Sequence, residues 1–222
     1  LITTNQFRVG GLESFLGTYV DALRIRGVDA ALLSSSVDAG VPGLDQFDHV
    51  VGCGTESYAG RWAAWLELGG KLIADTRPDV IWAHHFDLFP AWLLSRLHRI
   101  PLLTTFHGPL IGDARSNDLM QSLGITLAID RGEGVTAVSD EALGALSSLG
   151  RDSRCTWLLP NTVRVPGDAQ SPRLPLRRFA LLTRREKLEH IRQSVLLFAL
   201  YAREVRGCSL VIADGEWARA SG

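Results

Sequence analysis

The sequence predicts an α/β fold built on doubly wound, parallel β-sheets. Short apolar segments that are typical of strands alternate with helical patterns of ten or more residues, which is the order that parallel sheets require. Most of the predicted strands are followed by a glycine, a histidine or another polar residue. At 222 residues, 46% of them hydrophobic, the chain can form one large domain or two smaller ones.

The opening segment predicts a strand, a glycine loop and an amphipathic helix. A strand over 1–4 is followed by Gly10 and Gly11, and apolar residues then recur at helical spacing over 12–23. Gly27 stands where a glycine often ends a helix. Because glycines let backbone N–H groups approach an anion at the positive end of a helix, this loop predicts a phosphate contact. A plain turn is the alternative interpretation.

The same alternation continues through the rest of a first domain that covers 1–163. The predicted strands are 30–33, 80–83, 101–106, 135–138 and 155–159, and the predicted helices are 58–74, 90–98, 117–131 and 140–149. Arg77-Pro78-Asp79 interrupts the helical pattern before the strand at 80–83. Ser139 can cap the predicted helix over 140–149.

Proline and glycine separate this domain from a second one. Segment 164–177 is rich in proline and poor in apolar residues, which is typical of a linker. A strand over 179–182, a helix over 188–205 and a strand over 210–213 follow. One strand–helix–strand unit buries too little apolar surface to be stable alone, so we expect 178–222 to be an incomplete second domain.

The composition excludes several classes of function. There are 23 basic and 24 acidic residues, and a formal net charge of -1 argues against a nucleic-acid partner. The three cysteines lie far apart without the spacing of a metal site. The chain shows neither a signal-peptide pattern nor an apolar run of about 20 residues, the length that spans a bilayer. We therefore expect a cytoplasmic protein.

Candidate site residues follow the predicted strands, at the edge where doubly wound sheets bind ligands. They are Gly10, Gly11, His84, His107, Gly108, Ser139 and Asn161, together with Glu13 at the start of the first helix. Each has a structural alternative: a histidine can be a hydrogen-bonded core residue, Ser139 and Asn161 can cap or turn, and Glu13 suits a helix N-terminus. His84 and His85 would point to opposite faces of an extended chain, which argues against a metal site.

A basic cluster opens the predicted helix of the second domain. Arg184, Arg185 and Lys187 follow its first strand, and guanidinium and ammonium groups suit a diphosphate. A solvated helix start is the alternative. Because cations fit the positive end of a helix poorly, the cluster favours a binding role.

Five segments, in this order along the chain, resemble the family-4 glycosyltransferases of the GT-B architecture. Gly10-Gly11-Leu12-Glu13 resembles their glycine-glycine-x-glutamate loop. Residues 77–84 (RPDVIWAH) resemble RPDVIHAH, and residues 100–108 (IPLLTTFHG) resemble IPLVTTFHG. Residues 135–139 (VTAVS) and 159–163 (LPNTV) resemble VTAVS and IPNGV.

The resemblance implies transfer of a sugar from a nucleotide-diphosphate sugar to a glycan or lipid-linked acceptor, with retention of the anomeric configuration. The reaction would take place in a cleft between two Rossmann-like domains, an acceptor domain over 1–163 and a donor-binding domain that begins at 178. No metal or other cofactor is expected, because fixed cations and N–H groups can stabilise the leaving diphosphate. The resemblance also allows peripheral association with the inner face of the membrane.

The resemblance also implies a role for each candidate residue. His107 is the catalytic residue at the sugar and acceptor site. The donor diphosphate is bound by Gly10 and Gly11 and by Arg184 or Arg185 with Lys187. The residues that line the acceptor side of the cleft are Glu13, His84, Gly108, Ser139 and Asn161.

Two departures from the family pattern lead to alternative hypotheses. Arg184, Arg185 and Lys187 stand closer together than in the family, and the chain ends before the family's paired glutamates. We therefore expect an incomplete portion of the enzyme, inactive alone and weak in nucleotide-sugar binding. The alternative is a non-catalytic binding or partner subunit without a donor domain.

Segment 52–57 (GCGTES) imitates a dinucleotide fingerprint but does not follow the first strand, so a nicotinamide-dependent enzyme is the weaker third hypothesis.

Overall fold

A computed structural model of the chain describes residues 1–7, 11–41, 43–54, 58–84, 88–107, 119–148, 155–161, 177–183 and 188–214. The chain divides into two compact units, Leu1–Arg164 and Val165–Gly222. Apart from Arg177, the predicted linker over 164–177 lies outside the described residues.

The first unit contains a seven-stranded parallel sheet. Its strands are β1 (Ile2–Phe7), β2 (Ala31–Val37), β3 (His49–Gly52), β4 (Ile81–His84), β5 (Leu102–Phe106), β6 (Gly134–Ala137) and β7 (Thr156–Leu158). The helices in the described part of this unit are α1 (Gly11–Ile25), α2 (Tyr58–Thr76), α3 (Leu88–His98), α4 (Leu119–Arg131) and α5 (Asp140–Ser148), and a 3-10 turn spans Leu44–Gln46. The predicted doubly wound α/β fold is confirmed.

The order of the strands reverses once, beside the first strand. The sheet runs β3-β2-β1-β4-β5-β6-β7, and every neighbouring pair is parallel. The chain therefore builds outward from β1 in one direction and then resumes at β4 in the other. In open α/β sheets the carboxyl ends of the strands at such a reversal form the crevice that binds ligands.

Both faces of the central strands of the sheet are buried, as is typical of parallel sheets. Adjacent residues of a strand enter different cores: Leu32 packs with Phe15 and Val20 of α1, whereas Leu33 belongs to the core with Trp65 of α2. Among the described helices, α1 covers one face, and α2, α3, α4 and α5 contribute to the core on the other. The position of α1 matters because it covers the face that carries the histidines described below.

The predicted glycine end of α1 is confirmed. Gly27 has a φ of 72°, a left-handed conformation that glycine adopts without steric cost. Its N–H donates to the carbonyl oxygen of Arg24 at 2.9 Å, and the N–H of Val28 donates to that of Leu23 at 3.0 Å. These two bonds form a Schellman motif, which satisfies the last carbonyl groups of the helix.

Several predicted boundaries were wrong. The edge strand β3 was not predicted, because four residues with mostly exposed side chains carry no periodic apolar signal. Strand β2 continues past 33 through three serines, since its backbone pairs with β1 as far as Val37. Gly11 is the first residue of α1 instead of a loop residue, and His84 is the last residue of β4 instead of the residue after it.

The described residues of the second unit form a strand–helix–strand motif, as predicted. Strands β8 (Arg178–Thr183) and β9 (Ser209–Asp214) pair in parallel, and α6 (Leu188–Glu204) connects them. Phe179 of β8 meets the rings of Phe198 and Tyr201 of α6 at centroid distances of 5.5 and 5.2 Å. In the part of the chain that the structure describes, no helix is long and apolar enough to cross a membrane.

Candidate active site

The candidate site lies at the carboxyl edge of the sheet, next to the reversal of strand order. His84 ends β4, and the register places it between Thr4 of β1 and Thr105 of β5. His107 directly follows β5, on the same side of the sheet as Thr105 by strand alternation. Two histidines that are separate in sequence are therefore brought together at the crevice expected to bind a ligand.

The two histidine rings are hydrogen-bonded to each other. The Nδ1 atom of His84 lies 2.9 Å from the Nε2 atom of His107. One of these nitrogens must donate and the other accept, which fixes the two rings relative to each other. His84 is completely buried at 0% exposure, whereas His107 is only partly buried. His107 is thus the ring of the pair that a ligand can reach.

Aromatic side chains enclose the pair from α1 and β4. Phe15 and His107 form an edge-to-face contact, with ring centroids 4.9 Å apart and an interplanar angle of 85°. Phe15 also lies 6.0 Å from the ring of His84, and Trp82 lies 4.6 Å from it. Offset and edge-to-face contacts of this kind are the favourable arrangements for aromatic rings. Packing as well as hydrogen bonding therefore restricts the histidine rings.

A buried line of hydrogen bonds runs from Trp82 across two strands. The indole Nε1 of Trp82 donates to Oγ1 of Thr105 at 2.7 Å. Oγ1 of Thr105 lies 2.6 Å from Oγ1 of Thr136, whose hydroxyl is 3.4 Å from the carbonyl oxygen of Thr104. Polar side chains buried in a sheet require such partners. The line connects β4, β5 and β6 directly beside the histidine pair.

Ser139, Asn161 and Glu13 were also predicted to belong to the site. Ser139 is exposed and caps α5, because its Oγ accepts a hydrogen bond from the backbone N–H of Ala142 at 3.2 Å. Asn161 is exposed beyond the end of β7, next to Pro160, whose carbonyl accepts a bond from the hydroxyl of Tyr19. Glu13 is buried in the first turn of α1, where a carboxylate suits the helix dipole.

The remaining predicted residues are not described as side chains. Gly11 is described only as the first residue of α1. Gly10, Gly108, Arg184, Arg185 and Lys187 lie outside the described residues. Their assignment to the diphosphate and to the cleft stays a prediction.

The side chains that support the histidine pair were not predicted from the sequence. Trp82, Thr105 and Thr136 lie in short buried strands, where apolar and threonine residues are typical of a core. The one feature that could have indicated them is that they carry polar groups at buried strand positions, where water cannot form their hydrogen bonds. Among the described residues, no three histidine, cysteine, aspartate or glutamate side chains lie close enough to share a metal ion.

Comparison with known proteins identifies the family. Residues 9–165, well over half of the chain, match glycosyltransferase family 4. No protein of curated function matches the sequence.

Several solved structures share this fold. Anabaena HepE in complex with UDP and glucose superposes with a TM-score of 0.69 at 16% identity, over 99% of this chain and 63% of that one. The lipopolysaccharide outer core galactosyltransferase WaaB gives 0.65 at 11% identity, over 99% of this chain and 68% of that one. A UDP-N-acetylglucosamine 2-epimerase of Listeria monocytogenes, described as putative, gives 0.65 at 18% identity, over 95% and 61%.

These matches are likenesses of fold, and the chain spans 61% to 68% of the length of the three proteins. The parallel sheet that reverses beside β1 is the Rossmann-like sheet of the GT-B architecture, as the sequence predicts. With the match over residues 9–165, the conclusion is that this chain belongs to glycosyltransferase family 4.

Proposed function

We propose that the chain is part of a retaining glycosyltransferase, which moves a sugar from a nucleotide-diphosphate sugar to a glycan or lipid-linked acceptor. In this reaction the bond between the anomeric carbon and a diphosphate oxygen breaks, and the nucleoside diphosphate leaves with the electron pair. A bond then joins the same carbon to an acceptor oxygen, and the proton of that acceptor hydroxyl passes to an oxygen of the leaving diphosphate. The sugar keeps its anomeric configuration.

The observation that carries this proposal is the hydrogen-bonded pair of His84 and His107 at the carboxyl edge of the sheet. This edge is where open α/β sheets bind ligands, and the chain belongs to a family of glycosyltransferases. Related folds support a nucleotide-sugar donor: HepE is known in complex with UDP-glucose, and MnaA of S. aureus in complex with UDP.

In this proposal His107 contacts the transferred sugar or the acceptor. Its ring is partly exposed, whereas the ring of His84, to which it is hydrogen-bonded, is buried, so His107 is the histidine that a ligand hydroxyl would meet. A hydrogen bond that strengthens as charge develops on the reacting oxygens lowers the barrier to transfer. His84, Glu13, Gly108, Ser139 and Asn161 are proposed to line the same cleft.

The donor diphosphate is proposed to meet backbone N–H groups and cations. Gly10 and Gly11 precede or begin α1, whose N-terminal end carries partial positive charge. Segment 184–187, which contains Arg184, Arg185 and Lys187, connects β8 to α6. Cations there would stabilise the leaving diphosphate without a metal ion.

The direct test is an activity assay of the full-length protein with a panel of nucleotide-diphosphate sugars. Release of nucleoside diphosphate and the appearance of a glycosylated acceptor are measured together. His107→Ala is expected to reduce kcat/KM by about 100-fold, the usual effect of losing one hydrogen-bonding catalytic group. His49→Ala, the same substitution at an exposed edge-strand residue, is the matched control and is expected to leave kcat/KM unchanged.

The assay separates the proposed reaction from related chemistry on nucleotide sugars. Full activity of the His107→Ala variant would remove His107 from the mechanism. A product in which the donor sugar is epimerised, with no transfer to any acceptor, would replace the proposal by an epimerase-type reaction. Analysis of the anomeric linkage in the product tests retention.

A further inference from the structure

We propose that Trp82 is a positioning residue, held by Thr105 and Thr136, that fixes the rings of His84 and His107 in one arrangement. The inference rests on the proposed role of His107 in sugar transfer. It concerns side chains that do not reach the ligand: they act only through the histidine pair.

The bonds at the two ends of the line of hydrogen bonds beside the pair favour one direction for the central bond. An indole N–H donates and never accepts, so Oγ1 of Thr105 accepts from Trp82 at 2.7 Å. The hydrogen of Thr105 is then free to be donated to Oγ1 of Thr136, 2.6 Å away. Thr136 in turn donates to the carbonyl oxygen of Thr104. Each hydroxyl both accepts and donates, so no member can turn without leaving a buried group unpaired.

The strand register shows why this line affects the histidines. Trp82 is paired with Leu103 across the sheet, and His84 is paired with Thr105. The indole nitrogen of Trp82 nevertheless reaches Thr105, two residue pairs further toward the carboxyl edge. The indole therefore leans along the strand against the imidazole of His84, with ring centroids 4.6 Å apart. Rotation of the indole would remove the surface on which His84 rests.

Packing closes the other sides of the indole. Tyr19 of α1 meets Trp82 edge to face, at a centroid distance of 6.0 Å and an interplanar angle of 84°. Phe15 lies 6.3 Å from Trp82 and 4.9 Å from His107. The indole of Trp82, on β4, therefore packs against His84, and Phe15, on α1, packs against His107. In close-packed interiors such contacts leave few alternative rotamers.

The test combines ring NMR with kinetics. Thr105→Val keeps the side-chain shape but removes the oxygen that accepts from Trp82, and Thr105→Ser restores a hydroxyl at the same position. Long-range ¹H–¹⁵N spectra of the histidine rings, recorded on the 222-residue chain, report which nitrogens carry protons. We expect Thr105→Val to move the signals of His84 and His107 toward the average of two tautomers. We expect Thr105→Ser to give wild-type signals.

A matched control removes a threonine hydroxyl elsewhere. Thr126→Val makes the same substitution on the exposed side of α4, where Oγ1 of Thr126 donates to the carbonyl oxygen of Ser122. It is expected to leave the signals of both histidines unchanged. If Thr105→Val does not fold, Thr136→Val breaks the same line one bond further from the indole, and the same shift is expected.

In the full-length protein, Thr105→Val is expected to reduce kcat for transfer about tenfold with little change in the donor KM, as for a misplaced catalytic group. Unchanged histidine signals in both valine variants would overturn the inference, even if transfer is observed. Shifted signals with an unchanged kcat would also overturn it, because the residues would then be structural only. If the wild-type protein transfers no sugar, the proposed function fails, and the NMR result alone decides how the rings are held.

Discussion

Nδ1 of His84 and Nε2 of His107 are 2.9 Å apart, and only His107 has solvent exposure. At this contact the two rings share one proton, since a hydrogen bond needs one donor and one acceptor. Both rings cannot be cations while the bond persists. The protonation of the buried ring and that of the outer ring are therefore coupled through this hydrogen bond.

Substitution of His84 tests this dependence without touching the outer ring. His84→Asn keeps a polar atom near the position of Nδ1, whereas His84→Leu fills the space without one. We expect His84→Leu to reduce kcat/KM for transfer by about 10- to 100-fold, which is the usual effect of a misaligned catalytic group. We expect His84→Asn to retain most of the activity. The measurement is steady-state transfer with the donor identified in the panel.

The comparison needs variants that are equally folded. Thermal unfolding of both proteins, followed by circular dichroism, controls for this. If His84→Leu is folded and as active as the wild type, the orientation of His107 does not depend on its buried neighbour, and the interpretation of the pair is wrong.

The sequence was enough to predict the fold and the two central residues of the site. Alternating apolar segments determine an α/β sheet, because each strand and helix has to bury its apolar face. His84 and His107 were predicted because both stand at the ends of buried strands. Where polar residues extend a strand, as in Ser34, Ser35 and Ser36 of β2, the apolar pattern ends before the backbone pairing does.

The support of the site could not be predicted, because it depends on register. Trp82 reaches Thr105 only when β4 and β5 pair with Ile81 opposite Leu102, and a shift of one residue would place these side chains on opposite faces. Neither helical spacing nor residue type contains that information. For Gly10 and the basic cluster Arg184, Arg185 and Lys187, the diphosphate role stays a prediction.

Glu133 stabilises the edge of the sheet opposite the site. Its carboxylate accepts bonds from the backbone N–H of Leu102 at 2.7 Å and from the guanidinium of Arg96 at 2.8 and 3.0 Å. Partial burial raises the pKa of Glu133, but these bonds outweigh it and hold the pKa below its usual value. Both side chains of the ion pair are partly exposed, so we expect Glu133→Gln to cost only about 1 kcal/mol of unfolding free energy at neutral pH.

The stabilisation of the folded state by Glu133 should depend on pH in one direction. Because the pKa is lower in the folded state, the stabilisation is fully present above the unfolded-state pKa and is lost as the pH falls through the folded value. Urea unfolding should therefore show a gap between wild type and Glu133→Gln at pH 7 that closes below about pH 4. Glu67→Gln, which removes only the exposed pair with Lys71, is the control and should have the smaller effect. A gap that widens in acid would contradict this account.

Two glycines in helices should respond oppositely to alanine. A Cβ on Gly124 of α4 would lie 2.6 Å from the backbone nitrogen of Phe89, so the close crossing of α3 and α4 requires glycine. Gly144 of α5 has open space in that direction. We expect Gly124→Ala to lose about 1–3 kcal/mol of unfolding free energy through overpacking, and Gly144→Ala to gain up to about 1 kcal/mol from helix propensity. Urea unfolding of both variants checks this, and a stabilised Gly124→Ala would show that the helices can separate without cost.

Ser139 has both a structural and a predicted functional role, and two substitutions can separate them. Its Oγ caps α5 through the N–H of Ala142, so Ser139→Ala should cost about 1 kcal/mol of unfolding free energy, whereas Ser139→Asp should keep the cap. Urea unfolding measures this, and an unchanged midpoint for Ser139→Ala would contradict the capping role. Transfer activity then tests the cleft assignment: a Ser139→Asp protein of wild-type stability but reduced activity would show that the hydroxyl also meets the ligand, since the cap alone would be intact.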